Sequence, residues 1–429
     1  MTRAILPLVF ALGANLVPDS ASAWRAWSPR PELAPRQTVE SGGRLAIHAS
    51  AFPQYGMWHT VVKGIRPGAY YRFDALHQAE RVEDENVSVA AMLSWCANDC
   101  TEDALQRDYA DNVAAEGAWR RTFRTLRSPD GARAVKIELV LRWTAGGSVV
   151  WKDVSLVETA PPKPRLVRVA ATHITPGVPS SIEANLKLMG EMLDRAGREK
   201  ADVVCLSENV VGRGVNLPAP ERAKAVAAPT LKLLAEKARQ YRMYVLTTFE
   251  EFSEGAVYNT AFFFDREGRL AAKYRKIHLP LAEAEMGYTP GGEYKVVDTD
   301  FGRVGLLICW DNWFPETARI LRMKGAELLL QPLAGDVEAH WDAVTKARAM
   351  ENGVYLVASG LVPASASRIV DPAGEVLAEV SGDFSLAVRE IDLNKEFRTP
   401  WLSIGPGLGE GRSLYIKERR SDTYAPLAH

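Results

Sequence analysis

Three short segments hold residues whose types and spacing suit nucleophilic chemistry on a carbonyl carbon. In Val203-Val-Cys-Leu-Ser-Glu208-Asn209, a carboxylate follows a continuously apolar run, at the carboxyl end of a predicted strand. In Lys273-Tyr-Arg-Lys276-Ile-His-Leu-Pro280, a lysine sits in a basic stretch ahead of a proline. In Val304-Gly-Leu-Leu-Ile-Cys309-Trp-Asp-Asn-Trp-Phe-Pro-Glu316, a cysteine ends an apolar run, and Pro315-Glu316 opens a helix as first-turn residues should. A cysteine between a strand and a helix start is held on a sharp turn and can act as a nucleophile. A thiol attacks only as thiolate, so it needs a base within reach, and Glu208 is the candidate. The oxyanion that forms needs fixed positive donors, for which Lys276 and the backbone N–H of Trp310 are candidates. Each residue alone has a plainer reading: Cys309 as core, Lys276 as a solvated surface lysine, Glu208 as a helix cap. Cys205 lies inside a strand and reads as core.

The elements that must position these groups alternate between strand and helix after Pro161-Pro-Lys-Pro164, a stiff linker. Leu166–Ala171, Val203–Leu206, Met243–Phe249, Ala261–Phe264, Val304–Ile308, Glu327–Leu330 and Val354–Ala358 read as strands. Ser180-x-x-Glu183 is a capping box opening a helix with an apolar face at Ile182, Leu186, Met189, Leu193 and Ala196. Further helices are expected over Thr230–Tyr241, Pro315–Met323 and His340–Glu351. This alternation means α/β layers. Before the linker the pattern is short and alternating, as in Ile137, Leu139, Leu141 and Trp143, with Gly and Pro punctuation, which predicts an all-β sandwich. Thr101–Ala114 reads as a helical or loop excursion. The expected boundaries are a leader over 1–23, a sandwich over 24–160, a linker at 161–164, the α/β domain over 165–395 and a surface tail over 396–429.

The order of these marks resembles the nitrilase, or carbon-nitrogen hydrolase, superfamily. They are Leu-Ser-Glu208, Tyr258-Asn-Thr260, Tyr274-Arg-Lys276-Ile-His-Leu, Gly305-Leu-Leu-Ile-Cys309-Trp-Asp, Arg348-Ala-Met-Glu-Asn352 and Ser367-Arg-Ile-Val-Asp-Pro372. The resemblance spans about Arg165 to Leu393. It implies a four-layer αββα sandwich, a Glu208–Lys276–Cys309 triad and hydrolysis of amide or carbamoyl C–N bonds through a thioester, with no metal or organic cofactor. It also implies a second glutamate before the Pro-Gly turn, for which Glu285 is the match and Glu283 the rival. A homodimer is implied as well, with contacts expected from Pro315–Met323 and around Arg348–Asn352. The sequence departs from the family pattern at Ser207, where proline is usual, and at Trp313, where arginine is common. The run Cys309-Trp-Asp-x-Trp-Phe-Pro-Glu316, with His340-Trp341 downstream, is similar to the carbamoylputrescine amidase branch, which makes Trp313 and His340 candidate substrate contacts. Gly360 stands where that branch tends to have Asn. Nitrile hydrolysis, or an inactive member of the fold, are the other readings.

The segment Trp24–Glu158 resembles a carbohydrate-binding, galactose-binding-like jelly roll. Trp58, Trp95 or Trp119 would stack on sugar rings of a glycan or surface polymer, or else fill the core. The first residues, Met1-Thr-Arg3, an apolar run over Ala4–Ala14 and Ala21-Ser-Ala23, read as an export signal cleaved after Ala23. In an oxidising compartment Cys96 and Cys100 form a disulfide pair, the alternative being half of a zinc site whose other ligands are not nearby. The 429 residues carry 52 Lys plus Arg against 53 Asp plus Glu, so there is no basic excess for nucleic acid. A hydrophobic share of 47% excludes disorder as the main state.

Overall fold

The computed structural model describes residues 13–428 apart from 102, 336–337, 363 and 401–407. Most of the apolar run Ala4–Ala14 therefore lies outside the described residues. The chain divides into two compact units, 1–163 with 396–429, and 164–395.

The first unit is two sheets. One has the strand order Arg25–Trp27, Tyr55–Lys63, Ala134–Arg142, Val89–Cys96, Gln106–Tyr109, Leu408–Glu410 and Arg398–Pro400. The other runs Arg36–Glu40, Arg44–His48, Ser148–Thr159, Tyr70–Glu80, Trp119–Arg127 and Asn112–Glu116. Alternate residues of these strands meet in one core that includes Ile47, Phe73, Leu93, Trp95, Ile137 and Trp151, the inward half of the period-2 pattern. Thr101–Ala114 is not a helical excursion: it supplies the strands Gln106–Tyr109 and Asn112–Glu116. Its polar residues are used as partners, since the Asp108 carboxylate accepts from the Trp95 indole at 2.8 Å and from the Gln106 amide at 2.7 Å. Nor is 396–417 a mere surface tail. Its two strands extend the first sheet, and the Arg124 guanidinium reaches Ser413 at 2.7 Å and Asp111 at 3.2 Å.

Two of the tryptophans offered for sugar stacking belong to this core. Trp95 is fully buried and Trp58 nearly so, its indole donating to the Ala46 carbonyl. Trp119 is half-buried with the Lys152 ammonium 4.5 Å over its ring. Cys96 and Cys100 are joined as a disulfide, Cα atoms 5.2 Å apart. Asn15, Leu16 and Val17, which the sequence assigns to the leader, and Trp24 just after it contact the sandwich. The Asn15 amide accepts from Leu156 N–H at 3.0 Å, Leu16 N–H donates to the Leu156 carbonyl, and Val17 and Trp24 are buried in the core.

The second unit holds two six-stranded mixed sheets. One follows Leu270–Arg275, Ala256–Phe264, Tyr244–Ser253, Val203–Cys205, Leu166–Ile174 and Phe384–Asp392. The other follows Val296–Asp298, Arg303–Leu306, Leu328–Pro332, Tyr355–Ser359, Ser367–Val370 and Val376–Val380. The central strands of both are buried throughout and mostly apolar, as strands covered on both faces are. Helices Ile182–Arg198 and Ala219–Tyr241 pack on the first sheet, Pro315–Met323 and Glu338–Asn352 on the second. Ser181 caps the first helix by accepting from Ala184 N–H. The second helix starts eleven residues earlier than the pattern suggested (Ala219 rather than Thr230), because it runs through Pro229.

Candidate active site

Glu208 leaves the strand Val203–Cys205 through a turn fastened by Ser207. The Ser207 hydroxyl accepts from Ile174 N–H at 3.1 Å and donates to the Gly360 carbonyl at 2.5 Å, bonds that a proline could not make. Gly360 is itself required: a Cβ there would stand 2.1 Å from the Ser365 carbonyl oxygen. Lys276 follows the strand Leu270–Arg275 and is 1% exposed. Cys309 opens a 3-10 turn, Cys309–Trp313, at φ +45°, a left-handed conformation that costs a non-glycine residue roughly 1–3 kcal/mol. The turn is braced from behind. Arg348 donates to the Asn312 carbonyl at 2.9 Å and the Trp313 carbonyl at 3.0 Å, and Gln331 to the Cys309 carbonyl at 3.3 Å. The Arg348–Asn352 motif, expected at a subunit contact, thus has an anchoring task within its own chain.

The three residues meet. The Lys276 ammonium donates to Glu208 Oε1 at 3.2 Å, and Cys309 lies close enough to feel both charges, Glu208 raising its thiol and Lys276 lowering it. Glu208 is held on both oxygens, by the Asn259 amide at 2.8 Å on Oε1 and the Ala334 N–H at 2.8 Å on Oε2. Of the two glutamates offered by the sequence, the one beside Lys276 is Glu283 and not Glu285. Glu283 lies 2.7 Å from the Lys276 ammonium, whereas Glu285 is exposed. The one-turn helix Leu281–Glu285 explains the choice: two residues further on, a side chain has swung to the opposite, solvent side.

Charge in this cluster is strongly coupled. Burial by itself would push the Lys276 ammonium down, but Glu208, Cys309 and Glu283 together outweigh it and hold it well above the usual lysine range. Burial pushes the Cys309 thiol up, Glu208 adds to this, and Lys276 opposes both. Burial also raises the Glu283 carboxyl, with Lys276 opposing and Glu208 reinforcing. Cys205, enclosed in its strand, is pushed up to about 12 by burial and is inert.

A cavity of about 330 Å³ opens beside Glu208, lined among others by Asn259, Glu283, Ala334, Tyr288 and Arg222. Trp313 and His340 are not among its lining residues. Trp313 packs edge-on against Trp341 at 5.6 Å and His340 at 6.0 Å, and tilted against Trp310 at 5.4 Å. The roles of Asn259 and Ala334 were missed in the sequence. Asn259 was visible as part of Tyr258-Asn-Thr260, but nothing in that motif says which group its amide holds. Among the described residues, no group of three or more His, Cys, Asp and Glu stands together as a metal site.

The model of the carbon-nitrogen hydrolase family matches residues 168–399. The chain belongs to that family. It is therefore a hydrolase acting on carbon–nitrogen bonds. The human omega-amidase NIT2 is 32% identical over 48% of this chain and 78% of its own length. The deaminated glutathione amidase of Synechocystis sp. (strain PCC 6803 / GT-S) is 32% identical over 49% of this chain and 87% of its own. In fold, the chain is similar to the carbon-nitrogen hydrolase from Helicobacter pylori G27, with a TM-score of 0.52 at 23% identity over 61% of this chain and 98% of the other.

Proposed function

We propose that this carbon-nitrogen hydrolase is an amidase that works through a Cys309 thioester, with Glu208 as base and Lys276 as oxyanion donor. The observation that carries the reading is the convergence of a buried thiol, carboxylate and ammonium beside a cavity. Because the thiol is held neutral, Glu208 takes its proton as the sulfur attacks the amide carbon. The negative charge moves to the carbonyl oxygen, where the Lys276 ammonium and the Trp310 N–H stabilise it. Collapse expels the amine, which receives the proton from Glu208. Water, deprotonated by Glu208, then attacks the thioester carbon, and the acid leaves as the thiol recovers a proton. Glu283 keeps Lys276 charged and in place. The helix pair, sheet, sheet, helix pair order supports the αββα sandwich implied by the sequence resemblance. The curated relatives named above, the human omega-amidase among them, are amidases, and this favours amides over nitriles.

Export and a homodimer are part of the proposal. The leader of this reading is 1–23, with cleavage after Ala23. Turnover of a panel of aliphatic amides, carbamoyl compounds and nitriles tests the reading. Release of ammonia or amine from the amides supports it. Turnover of nitriles alone, or of none of the panel, contradicts it.

A further inference from the structure

Asp311 lies two residues beyond Cys309 and is fully buried, yet the chemistry above gives it no task. A buried carboxylate is costly unless its oxygens are satisfied, so its partners show what it is for. Oδ2 accepts from the Tyr274 hydroxyl at 2.7 Å and from the Ile308 N–H at 2.9 Å. Oδ1 accepts from the His278 N–H at 2.9 Å and stands 2.9 Å from the His278 Nδ1. Tyr274 and His278 are the residues two before and two after Lys276. Ile308 immediately precedes Cys309. A single side chain therefore ties both flanks of the lysine to the turn that carries the thiol. The Asp311 N–H also closes that turn on the Ile308 carbonyl, so the left-handed Cys309 is held from both ends.

We propose that Asp311 is a positioning residue that clamps the Lys276 segment to the Cys309 turn and so sets the separation of ammonium and sulfur. The proposal rests on the roles given above to Cys309 and Lys276. The oxyanion forms on the carbon that the sulfur has just attacked, so the ammonium must already be fixed relative to the sulfur to receive it. Two segments more than thirty residues apart in sequence have no such relation unless something links them directly. With the clamp loosened, Lys276 relaxes toward Glu208 and Glu283, to both of which it is already bonded, and away from the sulfur. Substrate binding in the cavity is untouched, because Asp311 does not line it.

The test uses the full chain with Tyr274→Phe, Asp311→Asn and the double variant. Tyr274→Phe removes one bond and keeps the ring, so it should fold with an unchanged melting temperature and lose roughly 10-fold in kcat. Asp311→Asn can keep at most part of the set and should lose roughly 100-fold in kcat, with KM within about twofold of the parent. The double variant should fall no further than Asp311→Asn, because both changes cut the same link. Alkylation of Cys309 by iodoacetamide at one fixed pH gives a reading that needs no substrate. It should slow by at least about threefold in both single variants as the ammonium withdraws. Folded variants with parental kcat and parental alkylation rates would overturn the proposal, as would a rise in KM at constant kcat. A parent protein that hydrolyses no amide contradicts the amidase reading instead, and the alkylation rates then decide the role of Asp311 alone.

Discussion

Cys309 has to be made nucleophilic at the moment of attack. Burial and Glu208 both push its thiol up, and Lys276 and the Ala334 backbone oppose them without cancelling the rise, so the thiol should rest neutral rather than as thiolate. The sign of the pH dependence follows. An ordinary thiol titrates near pH ~8.5. Alkylation of resting Cys309 should therefore keep rising past pH ~9, roughly tenfold per pH unit, and a plateau near neutrality would contradict the account. The two glutamates give a second comparison. Glu283→Ala frees Lys276 from the carboxylate 2.7 Å away and should cost roughly 100-fold in kcat/KM. Glu285→Ala, on the solvent side of the same turn, should leave kcat/KM unchanged. Glu208, Lys276 and Cys309 were legible in the sequence because each sits at a strand end or in a motif. The choice between Glu283 and Glu285 was not, because it depends on which way a single helical turn faces. Asp311 was legible as a letter in a motif but not as a link, because the partners it links to, Tyr274 and His278, lie more than thirty residues away.

At the scale of elements, the strands leading to Glu208 and Cys309 were readable because they lie in short apolar runs, whereas Leu270–Arg275, which leads to Lys276, was not, because its charged and exposed residues hide it. Elements that break local rules were harder. Pro229 lies inside the helix Ala219–Tyr241, and the strand Gln106–Tyr109 is polar because its side chains bond inward to Trp95 and each other. The N-terminal segment is the clearest conflict between local pattern and packing. Ala21-Ser-Ala23 has the composition of a cleavage site, yet Val17 is 4% exposed within the sandwich core and Asn15 bonds the backbone of Leu156. N-terminal sequencing of exported, mature protein should find Trp24 as the first residue, since Ala21-Ser-Ala23 supplies the small-residue cleavage site. A mature chain that still begins at or before Asn15 would contradict cleavage after Ala23.

At the scale of the whole molecule, segments far apart in sequence build one unit. Arg398–Pro400 and Leu408–Glu410 extend its first sheet, a pairing between residues some 300 apart in sequence that no local pattern announces. Arg124 joins Asp111, Glu410 and Ser413 there, with little exposure to solvent. Arg124→Ala removes this cation from beside Asp111 and Glu410 and should destabilise this unit by about 3–5 kcal/mol in a urea melt. A melt unchanged by the substitution would mean that the returning segment contributes nothing to that unit. The account as a whole turns on one covalent species. Intact-mass spectrometry of the full chain, quenched in acid during amide turnover, should show a single acyl adduct that peptide mapping places on Cys309, and Cys309→Ala should show neither adduct nor turnover. An adduct on Cys205 or elsewhere, or amide turnover retained by Cys309→Ala, would contradict it.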